Sequence, residues 1–136
     1  MIKAVILSED SDIGRMFEYL FQKMGHSGTH AGTIEELIQQ ARDKEADILV
    51  LDVFQGLKAE AWVAISETFS KQLNPVPIIT ASWFWNKDLE AHCAPLRIED
   101  SLIYPCDIPN RVISTLTNLF PNESFIAWWN NNDTQV

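Results

Sequence analysis

Glu9, Asp10, Asp52, Thr80 and Tyr104 stand where short apolar runs of this sequence end. Glu9 and Asp10 follow Ile2-Lys3-Ala4-Val5-Ile6-Leu7 after one serine, and Asp52 follows Ile48-Leu49-Val50-Leu51 directly. Thr80 closes the run from Val76, and Tyr104 closes Leu102-Ile103-Tyr104 ahead of Pro105. Three carboxylates brought together repel, so either some take up protons or a cation joins them. A hard, oxygen-seeking ion such as Mg2+ fits best, because it asks for only one or two carboxylates and completes its shell with waters and a phosphate group. Each acid taken singly has a plainer role. Asp10, Ser11 and Asp12 stand at a helix start, where short polar side chains cap free amides. Several run ends carrying such groups at once favour a shared site.

The elements that must position these groups follow from periodicity. Ile2 to Leu7 reads as a first strand. Ile13, Met16, Phe17, Leu20, Phe21 and Met24 then recur at steps of three and four, the inward stripe of a helix that Gly25 ends. His26 to Ala31 is a short second strand. Thr33-Ile34-Glu35-Glu36 has the spacing of a capping box and opens a helix with Ile34, Leu37, Ile38 and Ala41 inward. Ile48 to Leu51 suits a strand buried on both faces. A helix over about 57–73 stops at Asn74-Pro75, and Val76 to Thr80 forms a fourth strand. A short helix is expected around Lys87 to Cys93, then a fifth strand at Leu102 to Tyr104. Asp107 caps a last helix with Ile108, Val112, Leu116, Leu119 and Phe120 inward, ended by Pro121. Such alternation predicts an α/β, three-layer, doubly wound (βα)5 fold: a parallel five-stranded sheet with helices on both faces. In these folds the working site lies beyond the carboxyl ends of the strands.

Composition limits the partners. Hydrophobic residues make up 46% of the 136, enough for one core rather than a disordered chain. Ten Lys and Arg against nineteen Asp and Glu give a net charge of −9, which disfavours nucleic acid and anionic membrane surfaces. No apolar run is long enough to span a bilayer, and no signal-peptide hydrophobic region precedes Ser8-Glu9-Asp10. Cys93 and Cys106 do not make a disulfide framework, so a cytoplasmic protein with reduced thiols is expected.

The chain resembles the receiver domain of two-component response regulators. The likeness rests on Ile6-Leu7-Ser8-Glu9-Asp10 with Arg15 five residues on, Ala46-Asp47-Ile48-Leu49-Val50-Leu51-Asp52, Pro77-Ile78-Ile79-Thr80-Ala81, and Tyr104-Pro105 ahead of Asp107. It implies a flavodoxin-like sheet of order 2-1-3-4-5, a receiver over 1–120 and an aromatic tail over 121–136. It also implies that Asp52 accepts a phosphoryl group from a histidine kinase or phosphotransfer protein. Glu9, Asp10 and the backbone carbonyl of Phe54 would then place Mg2+ beside Asp52, and Thr80 would contact the phosphoryl oxygens. A cis bond at Tyr104-Pro105 is implied too. The downstream partner, or a second copy, would dock on the face formed by the fourth helix, the fifth strand and the fifth helix. On this reading the module is not an enzyme, and with sixteen residues after the receiver its output comes through another protein.

The departures from that pattern are specific. Tyr104 stands where receivers carry a lysine, and a phenol brings no positive charge at neutral pH. Ser101 stands at the aromatic switch position, and Glu9 replaces the usual aspartate. A second function therefore stays open: a pseudo-receiver acting as an interaction module without phosphate. A small metal-dependent phosphatase is a third, without an evident general acid. Lys58 and Lys87 lie in expected loops on the same rim, where reaching in would replace the missing lysine, but surface lysines are the plainer reading. Asp10 to Gly14 fails as a calcium loop, since its glycine comes early and Phe21 stands at the twelfth position. His26 and His30 are expected to be structural or exposed. Trp83, Phe84 and Trp85, and the tail's Phe125, Trp128 and Trp129, suit either a tail folded over the edge of strands four and five or a partner surface.

Overall fold

The computed structural model describes residues 1–53, 59–70, 75–82, 96–104 and 106–127. Five strands, β1 (Lys3–Leu7), β2 (Ser27–Ala31), β3 (Ile48–Asp52), β4 (Ile78–Ser82) and β5 (Ile98–Ile103), pair in parallel in the order β2-β1-β3-β4-β5. The helices among the described residues are α1 (Ser11–Lys23), α2 (Ile34–Asp43), α3 (Ala59–Phe69) and α4 (Asn110–Leu119), the last following β5. The expected helix around Lys87 to Cys93 lies outside the described residues. The doubly wound fold and its strand order are as anticipated.

The central strands are built on apolar residues sealed on both sides. Val5, Ile6, Leu49, Val50, Ile78 and Ile79 are all 0–1% exposed. One core lies under α1 and α4, around Ile6, Phe17, Phe21, Val50, Ile79, Leu102 and Leu116. The other lies under α2 and α3, around Leu7, Leu37, Leu49, Leu51, Trp62, Ile65 and Ile78. The predicted α1 stripe holds except for Met16, which faces solvent at 37% exposure. Gly25 takes a φ of 93° after the helix end, the left-handed geometry expected of it. Gly14, on the inner side of α1, makes room for the His30 imidazole, into which a Cβ would run.

Several expectations are corrected. Thr33 Oγ1 accepts the Glu36 amide at 3.2 Å, but the Glu36 carboxylate takes Gly32 N–H at 2.8 Å, one residue earlier than a capping box requires. Asp107 does not cap α4, whose N-cap is Pro109 without a side-chain bond. Its carboxylate turns back to accept the Ile103 amide at 2.8 Å. β5 starts at Ile98, earlier than predicted, because Glu99, Asp100 and Ser101 hide it from an apolar-run reading. The tail does not run to the β4–β5 edge over its described part. Ser124 and Ile126 bond to His26 and Met24, at the opposite pole from the carboxyl ends of the strands, and Phe125 joins the core there. Pro105 lies outside the described residues, as do Trp83, Phe84, Trp85, Trp128 and Trp129; a cis bond within them precedes Pro109.

Candidate functional site

The chain leaves β1 for β2 on one side and returns to β3 on the other. The carboxyl ends of β1 and β3 therefore flank the crevice that doubly wound sheets use for ligands. Asp52 ends β3 there, half-buried. Ser8, the residue after β1 and only 1% exposed, donates through Oγ to Asp52 Oδ2 at 2.7 Å. The Tyr104 hydroxyl, just past β5, reaches Asp52 Oδ1 at 3.4 Å, a long bond. Both carboxylate oxygens thus face neutral hydroxyl donors.

Tyr104 is itself a reporter of the charge around it. Burial raises its phenol far above the ordinary 10.0, and the charge of Asp52, its hydrogen bond to Asp52 and the charge of Asp10 push the same way. The phenol is a neutral donor at any physiological pH. Asp52, at the end of β3, and Asp10, at the start of α1, both bear on this one phenol.

Asp10 also does the plainer work. It is the N-cap of α1, with Oδ1 accepting the amides of Asp12 at 2.9 Å and Ile13 at 3.3 Å. Glu9 is exposed and shares with Asp52 a cleft of about 430 Å3 that Leu7, Thr33, Ile34 and Glu60 also line. Thr80 is buried on β4, in register with Leu51 beside it, and its hydroxyl donates to Ser101 Oγ at 2.9 Å. Phe54, Lys58 and Lys87 lie outside the described residues.

Oxygen-only donors at the ends of β1 and β3 match the chemistry of Mg2+, which takes one or two carboxylates and fills the rest with water. Among the described residues no group of three or more His, Cys, Asp or Glu is disposed to hold a metal ion.

Sequence reasoning missed four participants. Ser8 was passed over as a spacer, although a polar residue ending a buried run needs a partner. His30, expected to be merely structural, is structural in a telling place: its Nε2 donates to the Ser8 carbonyl at 2.8 Å and so steadies the residue that touches Asp52. Ser101 was noted only as an absent aromatic. Asp100 was not noted at all. It holds Arg111 through Nε at 2.9 Å and Nη2 at 2.7 Å, and Thr115 at 2.7 Å. Burial works against that carboxylate, but the bonds from Arg111, Thr115 and the Ser101 amide, with the Arg111 charge, hold its pKa below the ordinary 3.8.

No family model and no curated relative matches the chain. Solved structures do. The chemotaxis protein CheY4 of Vibrio cholerae matches with a TM-score of 0.73 at 16% identity, over 88% of this chain and 98% of that one. A two-component response regulator from Clostridium difficile gives 0.71 at 16%, over 89% and 97%. The receiver domain of Francisella response regulator 1452 gives 0.70 at 16%, over 90% and 100%.

Proposed function

Since the chain has the fold of response-regulator receiver domains, we propose that it is a two-component signalling module with Asp52 as its phosphoacceptor. The observation that carries this is the half-buried Asp52 carboxylate at the end of the central strand, with hydroxyls on both oxygens and the Asp10 charge close by. The donor would be a phosphohistidine on a histidine kinase or phosphotransfer protein. An Asp52 oxygen forms the new O–P bond, the P–N bond breaks, and the donor imidazole keeps that electron pair and takes a proton from water. Glu9, Asp10 and Asp52, with the Phe54 carbonyl that the family likeness adds, would hold Mg2+, which offsets charge on the phosphoryl oxygens. Ser8 aims the carboxylate. Thr80 supplies a hydroxyl to the phosphoryl group, and Tyr104 supplies one neutral hydrogen bond where receivers have a cation. A charge-assisted bond contributes about 1.5–3 kcal/mol, so losing it weakens coupling of phosphate to conformation by about tenfold or more. The receiver would be residues 1–120 with 121–136 appended, its place the cytoplasm, its output through another protein or a second copy docking on the β5–α4 side. No helix among the described residues is long and apolar enough to cross a membrane.

One observation favours a second reading. Hydroxyls from Ser8 and Tyr104 lie within reach of both Asp52 oxygens, at 2.7 and 3.4 Å, which suits an interaction module that works without phosphate. Intact mass after incubation with Mg2+ and acetyl phosphate, or beryllofluoride as the mimic, separates the two. The phosphoacceptor reading expects one adduct in the wild type and none in Asp52→Asn. Absence of both the adduct and Mg2+ binding in the wild type would leave the second reading standing. Turnover of a phosphate ester would instead make the protein a phosphatase.

A further inference from the structure

The outer strand β2 sends one side chain toward the acceptor. His30 is in register with Ile6 of β1, two residues before Ser8. Its Nε2 donates to the Ser8 carbonyl at 2.8 Å, and the Ala31 carbonyl accepts the Ser8 amide at 3.0 Å. The Ser8 carbonyl belongs to the planar peptide that joins Ser8 to Glu9. Fixing it fixes the residue whose hydroxyl meets Asp52 Oδ2 at 2.7 Å, and also the direction in which the chain leaves for Glu9 and Asp10. The same hydroxyl oxygen accepts the Asp10 amide at 3.1 Å, so side chain and loop move as one.

Helix α1 holds the imidazole from two positions one turn apart. Glu18 Oε1 accepts the His30 amide at 2.7 Å. Gly14 leaves the room, since a Cβ there would overlap ring atoms Cδ2 and Nε2, the donating nitrogen included. Packing alone would ask for an apolar side chain at position 30. Here a helix position is kept bare so that one ring nitrogen reaches one particular carbonyl.

We propose that His30 is a positioning residue for phosphoryl transfer, which acts through the Ser8–Glu9 peptide to hold the Asp52 carboxylate and Glu9 in a fixed relation. The inference rests on reading Asp52 as the phosphoacceptor. Without the His30 bond the peptide is freer to turn about its flanking bonds. Ser8 Oγ then aims the carboxylate less well, and the geometry for attack on phosphorus is met less often. The loss falls on orientation, and Asp52 itself stays a competent nucleophile.

The test follows the adduct by intact mass, with the full chain, Mg2+ and acetyl phosphate, well below every melting midpoint. His30→Ala should form it about three- to tenfold more slowly, the net contribution of one hydrogen bond. His30→Gln, which keeps a nitrogen donor on a side chain of similar reach, should recover most of the rate. Gly14→Ala alone should slow the reaction in the same way. In the His30→Ala background it should add nothing further, because no ring is left to displace. A merely structural histidine would lower the melting midpoint of His30→Ala and leave its rate unchanged, which overturns the proposal. So would a Gln variant as slow as the Ala variant, or losses from Gly14→Ala and His30→Ala that add in full. A wild type that forms no adduct overturns the phosphoacceptor reading, and the role of His30 falls with it.

Discussion

Two polar clusters sit at opposite poles of this sheet, and they are built on opposite principles. At the amino ends of the strands, His26 Nδ1 accepts the buried Ile2 amide at 2.9 Å. Its Nε2 must then carry the hydrogen that goes to the Ser124 carbonyl at 2.8 Å. Phe125 packs on the ring at 4.5 Å. Both ring nitrogens of His26 are thus paired with backbone groups. At the carboxyl ends, Asp52 and Asp10 press charge on Tyr104, Glu9 stands in the same cleft, and the donors are neutral hydroxyls. Balance marks the first cluster as architecture. The described part of the second is acidic, as the proposed binding of a cation and a phosphoryl group would require.

Mutations should expose that contrast on a single stability scale. His26→Ala strands the Ile2 amide and the Ser124 carbonyl and removes a ring contact, so it should cost about 3 kcal/mol. The check is a lower urea midpoint at unchanged slope. Asp100→Asn lies between the poles. It weakens a clamp whose Arg111 is half-exposed, so about 1 kcal/mol is expected. Because folding lowers the Asp100 pKa, its contribution is present above the ordinary 3.8 and lost as pH falls below it. The variant should therefore show a flatter acid limb in urea melts between pH 5 and 2.

At the carboxyl pole the effects should shrink. Tyr104→Phe removes the long bond to Asp52, whose loss should stay within about 0.5 kcal/mol near neutrality. Above pH 10.0 the two proteins should part. An unfolded phenol ionises there and the buried one does not, so wild-type stability falls as pH rises and the variant lacks that loss. Asp52→Asn should be neutral or stabilising by less than about 1 kcal/mol, as removal of strained functional charge commonly is. Thermal melts of the two proteins side by side decide it, and a loss of 2 kcal/mol or more would make Asp52 a structural residue.

The fold was legible because its signals were local. Ile48 to Leu51 reads as a buried parallel strand, and Phe17, Leu20 and Phe21 read as one helix face without knowledge of any neighbour. Asp52, Glu9, Asp10, Thr80 and Tyr104 could be placed at one end of the sheet because parallel strands carry their ends to one side. Their partners were not legible. Ser8 and His30 act through contacts fixed only once β1, β2 and β3 lie side by side. Asp107 carries a capping residue's signature yet serves β5, since the Ile103 amide lies within its reach. β5 escaped notice because its polar residues answer to α4 and Thr80, which no window along the chain contains.

The two outer strands, Ser-Gly-Thr-His-Ala and Ile-Glu-Asp-Ser-Leu-Ile, are polar where the three inner ones are oily. Sheet margins with exposed backbone groups invite neighbouring molecules to add themselves as further strands, and carboxylates with an irregular ladder discourage it. Glu99, the extra residue in β5, sets both features on one margin. The same irregularity that aims Asp100 at Arg111 thus also breaks the regular ladder that a further strand would need.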